Sequence, residues 1–460
     1  MNIAFVVVDS LRAVSLGRGA DGPRTPFLDR LAGESVAFRS AHASECWTLP
    51  THMSMFTGLL PSEHGAHFQS LAYRASAPTI AEILGRAGYH TEVVTRNSLF
   101  DGSVPGTTRG FQHNTRVVKE TRGMAAPIGL MLALAKPGIR RHLRRAGFFT
   151  ALQRDSREFL GRAARMVVPA DREALAYALE RMSDLRRCGK PFFLFLNLFD
   201  VHAPYCPTEA SPARPLRERG ALRENLSVLR ALAKLSGHGY LRPGFRLPER
   251  SRRYLLGRYH SAIELIDRKL GEFYDAARAS GLLDDTLLVL VSDHGEAFGD
   301  HGLFVHDGSV WQTHLHVPLF IHHPDCPPRV VEDTVATRDL FTLLRAVGLG
   351  LGLGGTLLDR DAPARLPVAL AEHYHYPHVK DLLPQYAQNL AAAVVGRRKV
   401  ILRREGLLSV DLAVDPGEQR LQPTAASDFA AACRRDGVSQ AAIDAALAHV
   451  GRWGDMRRAA

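Results

Sequence analysis

Asp9 and the pair Asp293-His294 lie at opposite ends of the chain, yet each closes a short apolar run. Asn2-Ile3-Ala4-Phe5-Val6-Val7-Val8 precedes the first and Leu287-Leu288-Val289-Leu290-Val291-Ser292 the second. Continuous Val/Ile/Leu runs of this length read as strands buried on both faces of a parallel sheet, where ligand-binding groups gather beyond the C-terminal strand ends. Two carboxylates and an imidazole are therefore expected at one sheet edge. Hard carboxylate oxygens suit Ca²⁺, Mg²⁺ or Mn²⁺, and an imidazole shifts the balance towards Mn²⁺ or Zn²⁺.

The elements that must position these groups follow from the same patterning. Strand-like runs recur at 2–8, 91–95, 192–198, 286–292 and 317–322, with helical patterns between them, which predicts a parallel α/β sheet covered on both faces. Thr25 to Glu34 reads as a first surface helix with Pro26 at an early position, and Pro78 to Ala87 as another ended by Gly88. Residues 120 to 190 read as mostly helical and basic, and 207 to 255 as Pro/Arg-rich and irregular. Together they form an expected insertion over about 120–255, placed above the site as a lid or substrate-selecting element. After the Gly-rich stretch 348–355 the pattern changes. Ala391 to Val395, Lys399 to Arg403 and Leu408 to Ala413 predict a small antiparallel sheet, so the chain divides into a catalytic part, 1–355, and a C-terminal part, 356–460.

The 460 residues, 46% of them apolar, suffice for one large core and a smaller second one. Fifty-eight Lys plus Arg against 47 Asp plus Glu give a net charge of +11, which favours acidic substrates. Much of that excess lies between Arg140 and Arg187, where few aromatics are interleaved and no nucleic-acid motif occurs. A solvated helical face is expected there, no nucleic-acid partner, and peripheral membrane contact stays open. Cys46, Cys188, Cys206, Cys326 and Cys433 form no CxxC pair and no disulfide framework. A strand that begins at residue 2, with no charged leader segment ahead of it, predicts a cytoplasmic enzyme. The longest apolar stretch, Ala125 to Ala135, falls short of the roughly 20 residues that cross a bilayer. No motif bears on oligomeric state.

Further segments accompany the acidic ones: Thr25-Pro26-Phe27-Leu28-Asp29-Arg30-Leu31, Trp47-Thr48-Leu49-Pro50-Thr51-His52 within 45–61, and Tyr259-His260-Ser261-Ala262-Ile263-Glu264-Leu265-Ile266-Asp267. With Val7-Val8-Asp9-Ser10-Leu11-Arg12 and Ser292-Asp293-His294-Gly295-Glu296, and in this order, they resemble the sulfatase family of the alkaline phosphatase superfamily along most of the chain. Val395-Gly396-Arg397-Arg398-Lys399-Val400-Ile401, then Asp411-Leu412 and Asp415-Pro416-Gly417-Glu418, resembles the family's C-terminal part. The resemblance implies an alkaline-phosphatase-like, mixed but mainly parallel sheet sandwiched by helices, with a small C-terminal antiparallel subdomain.

In the family the nucleophile is the Cys of a Cys-x-Pro-x-Arg motif, oxidised to formylglycine. Here Pro50 fixes the register, Thr48 stands at the Cys position and His52 at the Arg position, while Cys46 is two residues away. A threonine is no substrate for that oxidation. The resemblance then implies the threonine variant of the phosphodiesterase and phosphotransferase branches. In these a metal-activated hydroxyl attacks phosphorus, and the phospho-threonine is passed to water or an alcohol. Asp9, Thr48, Asp293 and His294 become the ligands of one divalent ion (Mn, Zn, Ca or Mg). Ser10 stands where many relatives carry a second acid. Asp200-Val201-His202-Ala203-Pro204-Tyr205 resembles a family segment whose His reaches the ester, so His202 is a candidate for substrate binding or acid catalysis. His306 falls where relatives place a Lys or His on the anion and leaving oxygen. Arg96 and Asn97 stand where common sulfatases bind sulfate with a Lys and a nearby His.

The leading expectation is a hydrolase or transferase acting on a small anionic ester, a phosphate mono- or diester, with sulfate or phosphonate esters as related classes. Two alternatives remain open: a two-metal phosphodiesterase of nucleotide-pyrophosphatase type using Asp200, His202 and His306, and an inactive relative that binds an anion or a partner.

Overall fold

The computed structural model describes residues 1–17, 22–116, 171–203, 205, 245, 247–359, 366–375 and 383–459. Its strands through residue 336 are β1 (Asn2–Val8), β2 (Val36–His42), β3 (His90–Thr95), β4 (His113–Arg116), β5 (Phe192–Leu198), β6 (Thr286–Ser292), β7 (Ala297–Phe298), β8 (Phe304–Val305), β9 (His316–His322) and β10 (Arg329–Ala336). Apart from the β7-β8 hairpin they form one eight-stranded sheet in the order β10-β2-β9-β6-β1-β5-β3-β4. β1 runs parallel to β5 and β6, and only β9 is antiparallel to its neighbours, β2 and β6. The sheet is mixed and mainly parallel, as the sequence implies.

Side-chain alternation explains why the central strands read as continuous apolar runs. Ala4, Val6, Val8, Leu194, Leu196 and Leu198 pack under the helices Pro26–Glu34, Asp171–Arg187 and Glu249–Ala279. Ile3, Phe5, Val7, Phe193 and Phe195 pack against Thr48–Thr57 and Leu340–Leu349 on the opposite face. Both faces are dry, so neither parity needs polar residues.

The second sheet is an antiparallel meander of β11 (Val368–His373), β12 (Leu390–Val395), β13 (Arg398–Arg403), β14 (Gly406–Asp411) and β15 (Gln422–Pro423). The helices Ala426–Arg435 and Gln440–Ala459 cover it through Phe429, Ile443, Ala446, Val450 and Trp453. A separate apolar seam joins the sheets, with Ala43, Val310, Leu315 and Val317 on one side and Ala371, Leu390, Ala392 and Ile401 on the other. The third expected strand, read as 408–413, is shifted and ends at Asp411, where Arg397 pairs with the carboxylate.

Two readings of the sequence change. The irregular stretch expected to reach residue 255 ends earlier, because the helix Glu249–Ala279 starts inside it. Glu249 pairs with Arg252 and Arg253 one turn on, and Leu255, Tyr259, Ile263 and Ile266 supply the buried stripe. The basic insertion is described only in part. The helix Asp171–Arg187 and β5 within it belong to the sheet layers, and of the expected lid elements, 120–190 and 207–255, the parts 120–170 and 207–244 lie outside the described residues.

The motif ending in Asp267 has a physical role. Thr25 gives the helix Pro26–Glu34 no side-chain cap; instead Asp267 Oδ2 and Oδ1 accept the N–H groups of Phe27 and Leu28 at 3.1 and 2.8 Å. Charged caps of this kind act on the otherwise unsatisfied first turn. Asp267→Ala should lower the urea midpoint by the equivalent of about 1–2 kcal/mol, and an unchanged midpoint would show that the cap carries no weight.

Candidate active site

The register of the central strands fixes the site. β1 and β6 pair so that Val8 lies opposite Ser292, which sets Asp9 beside Asp293 just past the strand ends. Ser292 Oγ ties the two ends together by accepting Leu11 N–H at 2.9 Å and donating to the carbonyl of His294 at 2.8 Å. Asp293 Oδ1 accepts the N–H groups of Ser10 and His294 at 3.1 and 2.9 Å, whereas its Oδ2 is buried without a hydrogen-bond partner. Burial, and then the Asp9 carboxylate, push the Asp293 pKa well above the usual carboxylate range.

His294 Nδ1 is 2.9 Å from the Gly295 carbonyl and serves as the donor, which leaves the Nε2 lone pair facing the acids. Nε2 is 3.3 Å from Asp293 Oδ2 and 3.7 Å from Asp9 Oδ1. Burial, and then His306, hold this imidazole well below its ordinary pKa, so it is neutral. Gly295 is required where it stands: a Cβ there would lie 2.0 Å from the Thr313 carbonyl oxygen.

Thr48 opens the helix Thr48–Thr57, and the preceding Trp47 provides no side-chain cap. Its hydroxyl donates to Asp9 Oδ2 at 3.4 Å and lies 3.2 Å from His294 Nε2. The four residues expected around one ion are thus gathered at a single point. Asp9, Asp293 and His294 each offer a ligand atom within 4.8 Å of the others. Two carboxylates without a Lys or Arg partner among the described residues, one orphaned oxygen and a neutral imidazole with its lone pair turned inward fit a divalent cation.

His52 plays a different part from the arginine whose position it takes. Its Nδ1 donates to the Thr48 carbonyl at 2.8 Å, and its ring packs against Phe100 and Phe195. Burial lowers its pKa to about 4, so it brings no positive charge at neutral pH. His202 stacks on Phe199 with ring centroids 4.0 Å apart, and its Nδ1 is 2.7 Å from the Ala203 carbonyl. His306 lies between His294 and His202, at centroid distances of 4.6 and 4.9 Å. Its Nδ1 is 3.2 Å from the buried Glu296 Oε2. Burial alone would depress the His306 pKa, but Glu296, by charge and hydrogen bond, and Asp9 raise it above the usual value. Burial, foremost, lowers that of His202.

Arg96 is engaged elsewhere: its Nη2 is 3.3 Å from Asp200 Oδ1, and Lys269 Nζ donates to Asp200 Oδ2 at 2.8 Å. Asn97 uses its side chain to accept the Leu99 N–H at 3.0 Å and cap a short 3-10 turn. Asp200, a ligand in the two-metal alternative, therefore has both oxygens committed to cations, which disfavours a second ion there.

The sulfatase family model matches residues 1–349. The chain belongs to the sulfatase family. This family lies in the alkaline phosphatase superfamily and typically binds a divalent metal, for which this sulfatase-family chain has a candidate ligand set. Choline-sulfatase of Rhizobium meliloti is 25% identical over 371 residues, 76% of this chain and 68% of that protein. The phosphonate monoester hydrolase of Agrobacterium radiobacter superposes with a TM-score of 0.62 at 22% identity, covering 95% of this chain and 93% of that one. A structure in complex with D-glucosamine-2-N,6-O-disulfate gives 0.65 at 15% identity, over 98% of both chains. Among the described residues no helix is long and apolar enough to cross a membrane.

Sequence reasoning passed over the residues that hold the ligands in place. Ser10 does more than vacate a ligand position. At φ 66° its N–H reaches Asp293 and its hydroxyl donates to Asp9 Oδ1 at 3.0 Å. Tyr259 donates to the Ser10 carbonyl at 2.7 Å and accepts Arg12 N–H at 2.9 Å. Asp171 Oδ2 accepts the N–H groups of Phe199 and Asp200 and so shapes the loop carrying His202. Glu296 had a readable signal, since it follows Asp293 by three residues in the matched motif.

Metal-free protein should lose stability as pH rises above about 4, the ordinary Asp value, because folding then keeps a proton on Asp293 that the unfolded chain releases. Saturating Mn²⁺ or Mg²⁺ should raise Tm at neutral pH, and Asp293→Asn should abolish that rise while leaving the metal-free protein more stable. Calorimetry with and without ion measures both, and an undiminished metal response in Asp293→Asn would remove it from the ligand set.

Proposed function

We propose that Thr48 is the nucleophile of a metal-dependent hydrolase or transferase for phosphate mono- or diesters, with sulfate and phosphonate esters as related substrate classes. In this reading Asp9, Thr48, Asp293 and His294 hold one divalent ion. The observation that carries it is the Thr48 hydroxyl, 3.2 Å from His294 Nε2 and 3.4 Å from Asp9 Oδ2, at the first turn of a helix. The bound ion would supply Lewis acidity, lowering the hydroxyl pKa and drawing charge from a non-bridging ester oxygen. The imidazole among the ligands favours Mn²⁺ or Zn²⁺, with Ca²⁺ and Mg²⁺ admitted by the carboxylates.

This chain's residues would do the rest. Thr48 Oγ1, its proton released to solvent as the hydroxyl ionises, forms a bond to phosphorus as the ester oxygen departs, and the helix N-terminal N–H groups face the anion. His306, whose pKa Glu296 raises, gives its proton to the leaving oxygen. Water or an acceptor alcohol, losing its proton to the now neutral His306, then attacks phosphorus and frees Thr48. His202 positions the ester beside His306. Arg96 and Asn97 shape the loop after β3 in their present partnerships, and reach substrate only if those loosen.

Phosphorus is favoured over sulfur by the nucleophile itself. A formylglycine hydrate sheds sulfate by eliminating through its second hydroxyl, whereas a threonine sulfate ester lacks that route. The similarity to a phosphonate monoester hydrolase supports the same preference, and that to choline-sulfatase keeps sulfate esters in the class. We read the catalytic part as ending near residue 355, with the C-terminal sheet as its brace.

Thr48→Ala should reduce turnover of p-nitrophenyl phosphate, its phenyl phosphodiester and the sulfate analogue at least ~10³-fold. Thr48→Ser should retain part of it, and mass spectrometry of quenched wild type should find the phosphoryl group on Thr48. Unchanged turnover in Thr48→Ala would refute the assignment. Glu296→Gln should shift the alkaline limb of kcat/KM to lower pH, since an imidazolium without its carboxylate partner loses its proton sooner. The loss should be greatest for poor leaving groups, and an unmoved limb would exclude His306 as the acid.

A further inference from the structure

We propose that Glu45, Cys46 and His373 form a second, buried metal site, for a thiophilic divalent cation of the Zn²⁺ type, separate from the Asp9, Asp293 and His294 cluster. All three residues are fully buried, and each offers a ligand atom within 4.8 Å of the others. Cys46 Sγ is 3.6 Å from His373 Nδ1, and Glu45 Oε1 is 2.9 Å from the same nitrogen. Tetrahedral zinc with its usual sulfur and nitrogen distances sets those two atoms about 3.6 Å apart. The Cys and His are thus already at the spacing of two ligands on one ion.

The site also has an unfilled coordination demand. Glu45 Oε1 accepts the Cys46 N–H at 3.0 Å, but Glu45 Oε2 is buried with no hydrogen-bond partner among the described residues. A buried carboxylate satisfied at one oxygen only is costly to fold. A divalent ion held by a carboxylate, a thiolate and a neutral imidazole has no net charge, the condition under which such a group tolerates a dry interior. Binding would release the Cys46 thiol proton, form the metal–sulfur bond, move the His373 proton from Nδ1 to Nε2, and replace the hydrogen bond between Glu45 and His373 by two coordinate bonds.

The location suggests what the ion does. Glu45 and Cys46 end the loop that delivers Thr48, and His373 ends β11 of the second sheet. The N–H of Glu372 already donates to the Ser44 carbonyl at 2.9 Å. An ion here would fasten the nucleophile's loop to the C-terminal sheet as a structural staple. With no exposed ligand it would enter during folding and exchange slowly.

The test uses full-length protein folded with Zn²⁺ or Co²⁺ under reducing conditions and passed over a chelating resin. An Asp9→Asn/Asp293→Asn background empties the other centre, so the outcome does not depend on the proposed catalytic reading. One equivalent of metal should persist in that background and disappear on adding Cys46→Ser or His373→Gln. The cobalt form should show a thiolate-to-cobalt charge-transfer band that Cys188→Ser leaves intact and Cys46→Ser removes. X-ray absorption of the zinc form should show one sulfur at about 2.3 Å. If the Cys46 or His373 variants fail to fold, absorption by the folded parent decides alone. Absence of retained metal, of the band or of a sulfur neighbour in folded protein would overturn the proposal, leaving a hydrogen-bonded triad only.

Discussion

Two like-charged side chains in a dry place are the constraint around which this molecule is arranged. The parallel pairing of β1 with β6 puts Asp9 and Asp293 side by side, both without solvent exposure. Such a pair is unfavourable unless N–H groups and a cation surround it. The chain supplies the first from Ser10 and His294, and leaves the side facing Thr48 for the second. Ser10 must adopt a left-handed φ of 66° to reach Asp293, and Tyr259 holds its carbonyl in that conformation. Strain of this kind persists only where neighbours over-determine it. It recurs at Val305, a β-branched residue at φ 56° immediately before His306, whose carbonyl meets His314 Nε2 at 2.8 Å.

The two histidines above the acids are differentiated by one carboxylate. His202 and His306 share the same crowded, buried corner, and burial pushes both towards neutrality. Only His306 has Glu296 at its Nδ1, and only its pKa ends above the ordinary value. Pushing apart the protonation of neighbouring groups is how a site obtains an acid and a neutral hydrogen-bonding partner from one residue type. His52 is the third case: among phenylalanines, with its Nδ1 on a helix carbonyl, it stays neutral.

The sheet was legible where burial on both faces erased alternation. The runs beginning at Asn2, Phe192 and Thr286 coincide with observed strands, as do those near His90 and His316 to within a residue. β2, β4 and β10 escaped notice for a physical reason: Val36–His42 carries Arg39 and Ser40 at a bulge against β9, β4 is four largely exposed residues, and β10 is a polar edge strand. The candidate ligand residues were legible because metal chemistry calls for their types at strand ends. Their supports were not, since Ser10, Asp171, Tyr259 and Asp267 work through backbone groups that become neighbours only once the sheet has formed. His373 lay beyond any reading from spacing, separated from Cys46 by more than three hundred residues of chain.

The C-terminal sheet braces the loops that carry Thr48 and His306 as well as covering an apolar seam. Buried Lys399 donates to the Val310 carbonyl and to Glu418, whose other oxygen accepts Gln312 N–H at 2.6 Å. Tyr386 accepts Phe304 N–H at 3.2 Å, so the segment carrying His306 is pinned on both sides. On the Thr48 side the Ser44 carbonyl meets β11, and Ser62 is held through its N–H and hydroxyl by Glu372. A buried Lys-Glu pair is costly in isolation, and here its carboxylate and ammonium each have a backbone group to satisfy as well. The loops holding Thr48 and His306 come from different strands of the first sheet. A common brace in the second fixes their separation more firmly than either loop could alone, which is what the proposed attack by one and proton from the other would require.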